Sequence, residues 1–317
     1  MARCFLTGIH GFIGSWLAGY LDSRGHEVCG MARSASPAFE ARYPRIRVTI
    51  ADILEQEKVN NAVREARPDY VFHLAAQSSP QRSWEQPEET FSINVTGTLY
   101  LLEAVRKAGL SPAIEIFLSS SEYASGVSEI PIPESAPIDP SSPYGVSKIA
   151  AGQLAVLYGK RYGLKIVRVR PFFLIGPGKK DDVSSRFCRQ IAAVETGRQK
   201  VMKVGNLTVV RDFLDIRDGV EALWLAAERG QPGDVFNIAS GKPLSVEKLL
   251  QLYLGHAKVK VPVESDPSLF RALDEPFKVG DVSKLHALGW HPKVKLEDTT
   301  RAILDFWREQ TVKEQRV

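Results

Sequence analysis

The stretch Thr7-Gly8-Ile9-His10-Gly11-Phe12-Ile13-Gly14 follows a short apolar run, Arg3–Leu6, near the start of the 317-residue chain. Its three glycines recur at every third residue. Glycine at the first position permits a tight turn, and glycine at the second lets a bound group approach the backbone closely. The third glycine lets a following helix pack against the strand. The stretch therefore predicts a strand, a sharp turn and a helix at the beginning of an α/β fold.

The helix predicted to begin near Phe12 would present unpaired N–H groups and the positive end of its dipole to the turn. Phosphate groups bind at such helix starts. Because the glycines follow a strand and open a helix, we expect a dinucleotide at this turn. The alternative is a glycine-rich turn without a ligand. The predicted contacts are the three glycines and the first helical residues, namely Gly8, Gly11, Phe12, Ile13 and Gly14.

The second apolar run, Glu27–Met31, leads to Arg33 and Ser34. NAD-binding proteins usually place Asp or Glu about 20 residues after the glycines, where the carboxylate binds the ribose 2′-hydroxyl. A guanidinium at this place suits a 2′-phosphate instead, because it forms bidentate charge-assisted hydrogen bonds. We therefore predict NADP(H) rather than NAD(H). The alternative is a solvated arginine at a strand end.

Asp52 and Ile53 follow the third apolar run, and we predict both at the adenine end of the cofactor. The Asp52 carboxylate would accept a hydrogen bond from the adenine amino group. The alternative for Asp52 is that it caps the turn that follows it.

Seven short apolar runs alternate with amphipathic helical patterns along most of the chain. The predicted strands are Arg3–Leu6, Glu27–Met31, Arg47–Ala51, Tyr70–Leu74, Ile114–Leu118, Lys165–Val169 and Val235–Ile238. The predicted helices between them are Ile13–Ser23, Val59–Ala66, Asn94–Ala108 and Lys148–Tyr162. Strands that are apolar throughout and separated by helices indicate a parallel sheet covered on both faces. The fold class is therefore α/β, a Rossmann-like doubly wound parallel sheet.

After about residue 171 the pattern loosens, and Gly, Pro and charged residues become frequent. We interpret this part as a smaller C-terminal α/β lobe with helices at Ser184–Thr196, Val246–Tyr253 and Leu296–Trp307. We assign residues 1–170 to a dinucleotide-binding domain, to which residues 205–240 return. Residues 171–317 belong mainly to the smaller lobe.

Composition argues against several classes of protein. The net charge is only +4, and Lys and Arg are spread among acids rather than gathered in the basic stripe of a nucleic-acid binder. No apolar run reaches the ~18 residues of a membrane helix, and the N-terminus lacks the apolar core of a signal peptide. The three cysteines, Cys4, Cys29 and Cys188, show neither metal-ligand spacing nor a disulfide framework. We expect no metal and a reducing, cytoplasmic location.

A second motif, Ser141-Ser-Pro-Tyr-Gly-Val-Ser-Lys148, lies near the middle of the chain. Pro143 suits the first position of a helix, so Tyr144 and Lys148 would lie one turn apart on the same face. A free phenol has a pKa near ~10, and we expect the nearby ammonium to lower that pKa toward neutrality. The fifth strand ends in serines beginning at Ser119, whose hydroxyls can donate to a substrate oxygen. The alternative is an ordinary helix surface.

With these motifs the chain resembles the extended short-chain dehydrogenase/reductase family, in its nucleotide-sugar epimerase, dehydratase and reductase group. Within the group it is most similar to the GDP-6-deoxy-4-keto-mannose reductases, and next to the GDP-mannose 4,6-dehydratases. The resemblance covers nearly the whole chain. It rests on TGIHGFIG, HLAAQSS (His73–Ser79), NVTGT (Asn94–Thr98), SSSEY, PYGVSK, RPFFLIGPG (Arg170–Gly178), VGNLTVVRDFLDIRD (Val204–Asp218) and LGWHP (Leu288–Pro292).

The resemblance implies roles for particular residues. Ser119 would be the catalytic hydroxyl, Tyr144 the proton donor and Lys148 its partner, with Asn94 bracing the helix beneath the cofactor. The segment after the fourth strand would line the cofactor through Leu74, Ala75 and Ala76. The residues implied at the substrate are Gln77, Ser78, Ser120, Glu122, Arg211, Arg271 and Asp274.

Two departures from the family pattern concern the reaction and the substrate. The resembling dehydratases keep a glutamate two residues before the tyrosine of SSSEY, where this chain has Ser121 and carries its acid one residue later, as Glu122. A serine cannot replace a carboxylate base, which argues against dehydration. The usual Asn-His after "PF" is Phe173-Leu174 here, so a polar contact to the sugar diphosphate is lost. Lys179 and Lys180 could meet that diphosphate, or be solvated.

The hypothesis is an NADPH-dependent oxidoreductase that reduces the 4-keto group of a nucleotide-linked, GDP-linked 4-keto-6-deoxyhexose, with the C-terminal lobe binding the substrate. A 4,6-dehydratase or 4-epimerase with tightly bound NAD(P) is the nearest alternative. A redox-sensing scaffold without turnover is another. Asn94–Ala108 and Lys148–Tyr162 carry apolar faces that predict a homodimer through a four-helix contact, as in the family. Packing on the sheet is their alternative role.

Overall fold

The computed structural model describes residues 1–124, 126, 130–270 and 275–314. In chain order the strands are β1 (Arg3–Thr7), β2 (Glu27–Ala32), β3 (Arg47–Ile50), β4 (Tyr70–His73), β5 (Ala113–Phe117), β6 (Lys165–Pro171), β7 (Phe173–Ile175), β8 (Met202–Val204), β9 (Val210–Asp215), β10 (Val235–Ile238), β11 (Pro243–Ser245), β12 (Val263–Ser265) and β13 (Phe277–Lys278). A seven-stranded parallel sheet has the order β10-β6-β5-β4-β1-β2-β3. These are the seven predicted strands, and the predicted fold class is confirmed.

Helices cover this sheet and fill the C-terminal part of the chain. They are α1 (Phe12–Ser23), α2 (Pro37–Arg42), α3 (Gln56–Ala66), α4 (Pro80–Glu85), α5 (Pro87–Phe91), α6 (Gly97–Lys107), α7 (Pro143–Tyr162), α8 (Val183–Glu195), α9 (Ile216–Arg229), α10 (Val246–Gly255), α11 (Ser283–Ala287) and α12 (Leu296–Glu314). A π-helical turn, Ser92–Thr96, precedes α6. Over the described part of the chain, no helix has the length and apolar character needed to cross a bilayer.

The central strands are mostly apolar because both faces of the sheet are buried. Successive side chains of a strand point to opposite faces. Cys4 and Leu6 of β1 therefore pack in the core formed with α1 and α9, whereas Phe5 packs in the core formed with α3 and α6. This explains why the run carries no polar alternation.

A smaller sheet lies in residues 171–317, where β9 pairs with β7, β11 and β13. Helices α8, α10 and α12 contribute Phe187, Leu250 and Leu304 to a shared core beside it. They correspond to the three helices predicted for this part of the chain. Within residues 205–240, β9 belongs to the smaller sheet, whereas α9 packs on the main sheet and β10 joins it.

Asp212, on β9, connects the two sheets. Its fully buried carboxylate accepts hydrogen bonds from the backbone N–H and hydroxyl of Ser240, both at 2.6 Å, and from the N–H groups of Gly241 at 2.9 Å and Gly280 at 3.3 Å. Ser240 and Gly241 directly follow β10 of the main sheet. One side chain therefore ties the smaller sheet to the end of the larger one.

Glu115 is the least expected residue of the main sheet. It lies in β5, fully buried, on the same face as its neighbour Phe117. Neither carboxylate oxygen has a hydrogen-bond partner. Burial without a partner raises the pKa of Glu115 well above its usual range, because the charged form cannot be solvated there.

Replacing Glu115 by Leu is expected to stabilise the protein more at high pH than at low pH. The folded state holds the Glu115 proton more tightly than the unfolded chain does. Its contribution is therefore present below the unfolded pKa, near ~4.3, and is lost as the pH rises toward the folded pKa. At pH 8 the gain in the free energy of unfolding should be about 1–3 kcal/mol, and at pH 5 it should be smaller.

Denaturant unfolding at the two pH values measures this difference. Glu65→Leu, which alters an exposed glutamate on α3, is the matched control. An equal gain at both pH values for Glu115→Leu would contradict the expected titration.

Candidate active site

The glycine turn has the geometry that its spacing predicts. Gly8 adopts a positive φ of 68°, which side chains disfavour, and a Cβ there would lie 2.9 Å from the backbone nitrogen of Ala75. A Cβ on Gly14 would overlap the carbonyl oxygen of Gly8. The surrounding backbone therefore leaves no room for a side chain at the first and third positions, and glycine at both allows the compact turn.

The N-terminus of α1 is open above this turn. Gly11 is the N-cap residue and supplies no side-chain cap, and the first turn of the helix contains no acidic residue. The N–H groups of Phe12 and Ile13 and the dipole of α1 consequently face the space beside Gly11. A Cβ at Gly11 would meet only the carbonyl oxygen of Gly8, at 3.0 Å. These features fit a pyrophosphate.

Arg33 and Ser34 lie just beyond β2 and are exposed. The Ser34 carbonyl oxygen is 2.9 Å from Nδ1 of His10, so this segment is tied to the glycine turn. Among the described residues no carboxylate pairs with Arg33. Its charge is thus available for an anion beside the turn.

The two residues predicted at the adenine have local contacts. One carboxylate oxygen of Asp52 accepts a hydrogen bond from the N–H of Leu54 at 2.9 Å. This bond caps the following turn, which is the alternative role given for Asp52 above. Ile53 is buried and packs beneath Gly97, where an added Cβ would lie 2.9 Å from the Ile53 side chain. Asp52 itself is half-buried at the edge of the turn.

A chain of buried hydrogen bonds fixes the segment after β4, which contains Leu74, Ala75 and Ala76. The Thr7 hydroxyl accepts from the N–H of Ala75 at 3.1 Å and contacts Nδ1 of His73 at 2.8 Å. The other ring nitrogen of His73 lies 2.9 Å from the Thr98 hydroxyl. Burial lowers the pKa of His73 to about 3, so the imidazole is neutral. The three cofactor-segment residues are half-buried beside the glycine turn.

Asn94 links this segment to α7. Its carboxamide accepts from the N–H of Gln77 at 2.9 Å and donates to the Gln77 carbonyl at 3.1 Å. It also donates to the Ser147 hydroxyl at 2.8 Å, and that hydroxyl donates to the Tyr144 carbonyl at 2.7 Å. Asn94 therefore braces the first turn of α7 from within the protein.

The structure corrects the orientation expected for Gln77. Its side chain is buried and donates to the Thr90 hydroxyl at 2.9 Å and to the Ser79 carbonyl at 3.0 Å. It therefore holds its own loop together and presents no free amide to a sugar. Ser78, the next residue, is exposed.

Ser119, Tyr144 and Lys148 meet where β5 ends and α7 begins. Ser142 caps α7 by accepting from the N–H of Gly145 at 3.2 Å, and Tyr144 and Lys148 are 7% and 6% exposed. The Lys148 ammonium donates to the Phe117 carbonyl at 2.9 Å.

The same three side chains lie close enough to act on one another. Lys148 Nζ is 5.9 Å from the centre of the Tyr144 ring. A hydrogen bond joins the Ser119 and Tyr144 side chains. The three predicted catalytic residues are thus brought together.

The predicted effect of Lys148 on the phenol is wrong for the protein alone. Burial raises the pKa of Tyr144 to about 12, although the hydrogen bond from Ser119 opposes this change. Burial also lowers the pKa of Lys148 to about 8. The helical spacing places the two groups on one face of α7, but the loss of solvent has the largest effect on the pKa of each. Tyr144 is therefore a neutral phenol throughout the physiological range.

Glu122, expected at the sugar, is 1% exposed and forms an ion pair with Arg170, with Nε 2.8 Å from its carboxylate. Arg170 is itself 3% exposed. Ser120 is also buried, in the short helical turn that follows Ser119. Glu122 therefore makes an internal ion pair rather than facing an open cleft.

The remaining predicted substrate residues are only partly described. Arg211 is buried on β9, donates to the Glu275 carbonyl at 2.6 Å and lies 5.5 Å from the centre of the Phe173 ring. Arg271 and Asp274 lie outside the described residues. Lys179 donates to the Leu174 carbonyl at 2.6 Å, and Lys180 is exposed.

Comparisons with known proteins connect this geometry to a family. A sequence model described as GDP-mannose 4,6 dehydratase matches residues 5–303. The chain belongs to the GDP-mannose 4,6 dehydratase family. It is 34% identical to the GDP-6-deoxy-D-mannose reductase of Pseudomonas aeruginosa, over 99% of each chain. It is 30% identical to a GDP-mannose 4,6-dehydratase of Yersinia enterocolitica, over 94% of this chain and 91% of that one.

Solved structures of similar proteins carry nicotinamide cofactors. The RMD structure from Pseudomonas aeruginosa, complexed with NADPH, has a TM-score of 0.86 at 31% identity and covers 98% of this chain and 100% of that one. A UDP-glucose 4-epimerase of Thermus thermophilus in complex with NAD has a TM-score of 0.86 at 30% identity, over 96% and 99% of the two chains. By name the relatives reduce, dehydrate or epimerise, so the choice among these reactions rests on the site residues of this family member.

Sequence reasoning missed Arg170 as part of the site. It lies on β6, one residue beyond the predicted strand Lys165–Val169, and β6 also carries Lys165 and Arg168. A charged residue in a buried strand needs a buried partner, and that requirement was the available signal. The partner, Glu122, lies 48 residues earlier in the chain, a distance that no local pattern reports.

Proposed function

We propose that the protein is an NADPH-dependent reductase of the 4-keto group of a GDP-linked 4-keto-6-deoxyhexose. The observation that carries the proposal is the cluster of Ser119 with the buried Tyr144 and Lys148, in which the phenol is neutral and can give up a proton. The reductase of Pseudomonas aeruginosa, to which the chain is similar along its whole length, supports the substrate class.

The cofactor in this proposal is NADP(H). Gly8 and Gly14 keep the turn compact, Gly11 leaves space for a pyrophosphate, and the uncapped start of α1 faces that space. Arg33 would form charge-assisted bonds with the 2′-phosphate. The similar reductase structure is complexed with NADPH, which supports the same choice.

In the proposed mechanism the protein holds and moves one proton. When bound, NADPH supplies the hydride for the carbonyl carbon. The Ser119 hydroxyl donates a hydrogen bond to the carbonyl oxygen, and Tyr144 transfers its phenolic proton to that oxygen. The Lys148 ammonium favours the phenolate left behind, because the opposite charge is close by.

The position of Glu122 favours reduction over 4,6-dehydration. A dehydratase needs a carboxylate free to remove a proton from sugar C5. Here the carboxylate is committed to Arg170, and the preceding position holds Ser121. Conversion of GDP-mannose without added NADPH would favour the dehydratase alternative.

We propose that the nucleotide sugar binds between the dinucleotide-binding domain, residues 1–170, and the smaller lobe, residues 171–317. Arg211, together with Arg271 and Asp274, would then hold the nucleotide. Phe173 would offer a ring where the family usually has an amide. The two lobes would thus divide cofactor and substrate between them.

We also propose a homodimer through α6 and α7. One face of each helix packs on the sheet, through residues such as Leu101 of α6 and Ala155 of α7. On α7, however, Val146 and Leu157 are 43% and 62% exposed, and they lie eleven residues, about three helical turns, apart on one face. A second copy would cover this stripe.

A cytoplasmic location is consistent with three free cysteine thiols.

Replacing Tyr144 by Phe should lower kcat for NADPH-dependent reduction by roughly 10²–10⁴, the usual effect of losing a general acid. Purified protein would be mixed with GDP- and dTDP-linked 4-keto-6-deoxyhexoses, and NADPH absorbance followed. Tyr158→Phe, the same change further along α7, is the control. A loss below tenfold for Tyr144→Phe would overturn its assignment.

Replacing Arg33 by Ala should weaken NADPH binding by about 10- to 100-fold, which corresponds to losing one or two charge-assisted bonds. NADH binding should change by less than about threefold, because NADH has no 2′-phosphate. Isothermal titration measures both affinities. Arg47→Ala, at another exposed arginine of the sheet, is the control. Equal weakening of both cofactors would be inconsistent with a phosphate contact.

Replacing Leu157 by Glu should convert the dimer to a monomer, since the interface would bury an unpaired charge. Light scattering after size-exclusion chromatography reports the mass. Val312→Glu, at an exposed position of α12, is the control. A wild-type protein that runs as a monomer would refute the dimer.

A further inference from the structure

His10 lies in the middle of the glycine turn, and the backbone is held on both sides of it. The N–H of Ile9 donates to the Met31 carbonyl at 3.2 Å, which joins the turn to the end of β2. The N–H of Gly11 donates to the Gly8 carbonyl at 2.9 Å, within the turn itself. The side chain of His10 therefore extends from a fixed point of the cofactor site.

The imidazole of His10 reaches from this point to the segment that follows β2. Nδ1 lies 2.9 Å from the Ser34 carbonyl oxygen, and because a carbonyl oxygen only accepts, Nδ1 carries a proton and donates it. The centre of the ring is 4.8 Å from that of Phe39, a buried residue of α2. Nε2 is buried without a hydrogen-bond partner. The ring therefore makes a single hydrogen bond, and that bond goes to Ser34.

The exposed residues 33–35 depend on this bond for their position. Before them, the Ala32 carbonyl accepts from the backbone after β3 at 2.9 Å, and after them the Ser36 hydroxyl caps α2. Between these two points, over the described chain, the bond from His10 is the one hydrogen bond that ties residues 33–35 to the site. Because the three residues are exposed, packing does not hold them instead.

We propose that His10 is a positioning residue that sets the preference of the site for NADPH over NADH. By holding the Ser34 carbonyl, it keeps the guanidinium of the preceding residue, Arg33, beside the glycine turn. One ring nitrogen of His10 is committed to Ser34 and the other is covered, so His10 acts through Arg33. The inference rests on the proposed contact between Arg33 and the 2′-phosphate.

The loss of conformational entropy on binding explains why such an anchor matters. An arginine side chain loses rotamer freedom when a ligand fixes it, and a mobile backbone beneath it adds to that loss. A backbone already held at Ser34 needs less ordering when Arg33 binds a phosphate. NADH has a hydroxyl in place of the 2′-phosphate and gains little from the guanidinium. The effect of His10 should therefore appear for NADPH alone.

His10→Phe keeps an aromatic ring next to Phe39 and removes the N–H donor. In isothermal titration the Kd of NADPH should rise about 5- to 10-fold, the loss expected for one hydrogen bond, and the Kd of NADH should change by less than about twofold. Unchanged NADH binding also shows that the glycine turn is intact in the variant.

Two further variants distinguish the hydrogen bond from the ring. His10→Asn places an amide nitrogen where Nδ1 lies and should restore most of the preference for NADPH. His256→Phe is the matched control, because His256 is also half-buried with a ring nitrogen 3.2 Å from a backbone carbonyl, that of Glu297. It should alter neither affinity. If His10→Asn binds NADPH as weakly as His10→Phe, the hydrogen bond is not the cause and the proposal is overturned.

The double variant His10→Phe with Arg33→Ala separates this inference from the proposed phosphate contact. If His10 acts through Arg33, the double variant should bind NADPH within about twofold of Arg33→Ala alone. Fully additive losses, or equal weakening of NADPH and NADH by His10→Phe, would overturn the role of His10 while leaving the phosphate contact in place. An unchanged NADPH affinity in Arg33→Ala would refute the phosphate contact first, and this inference with it.

Discussion

Every group of the site depends on the parallel arrangement of the main sheet. Because neighbouring strands run in the same direction, β1, β4 and β5 all end at one edge. The glycine turn, the segment holding Ala75 and the turn holding Ser119 therefore lie side by side, although they are far apart in the sequence. The two lines of buried hydrogen bonds, through His73 and through Asn94, then fix the distances between them.

Two buried glutamates differ in whether their carboxylate has an ion-pair partner. Glu115 and Glu122 lie close in the chain, at 0% and 1% exposure. Glu115 has no partner and is expected to hold its proton. Burial raises the pKa of Glu122 as well, but the charge of Arg170 opposes that rise. Glu115 therefore only destabilises the fold, whereas Glu122 forms an ion pair with Arg170 at the turn that follows Ser119.

The sequence patterns were sufficient for the sheet and for the catalytic neighbours. Apolar runs locate the strands because both faces are buried, and a spacing of four places Tyr144 and Lys148 on one face of a helix. The direction of the side chains in the segments that follow the strands could not be predicted from these patterns. The side chains of Gln77 and Glu122 point inward because they bond to Thr90 and Arg170. These partners lie 13 and 48 residues away in the chain, beyond the reach of a local pattern. The pKa of Tyr144 was misjudged because spacing reports proximity and not exposure to water.

The four hydrogen bonds at Asp212 bear on how the protein can move. Three of them join the smaller sheet to the loop after β10, and the fourth comes from Gly280, after β13. Opening that joint would leave the carboxylate without donors in an apolar setting. Any opening and closing around a bound molecule must therefore take place in other segments, while the hydrogen bonds of Asp212 stay intact.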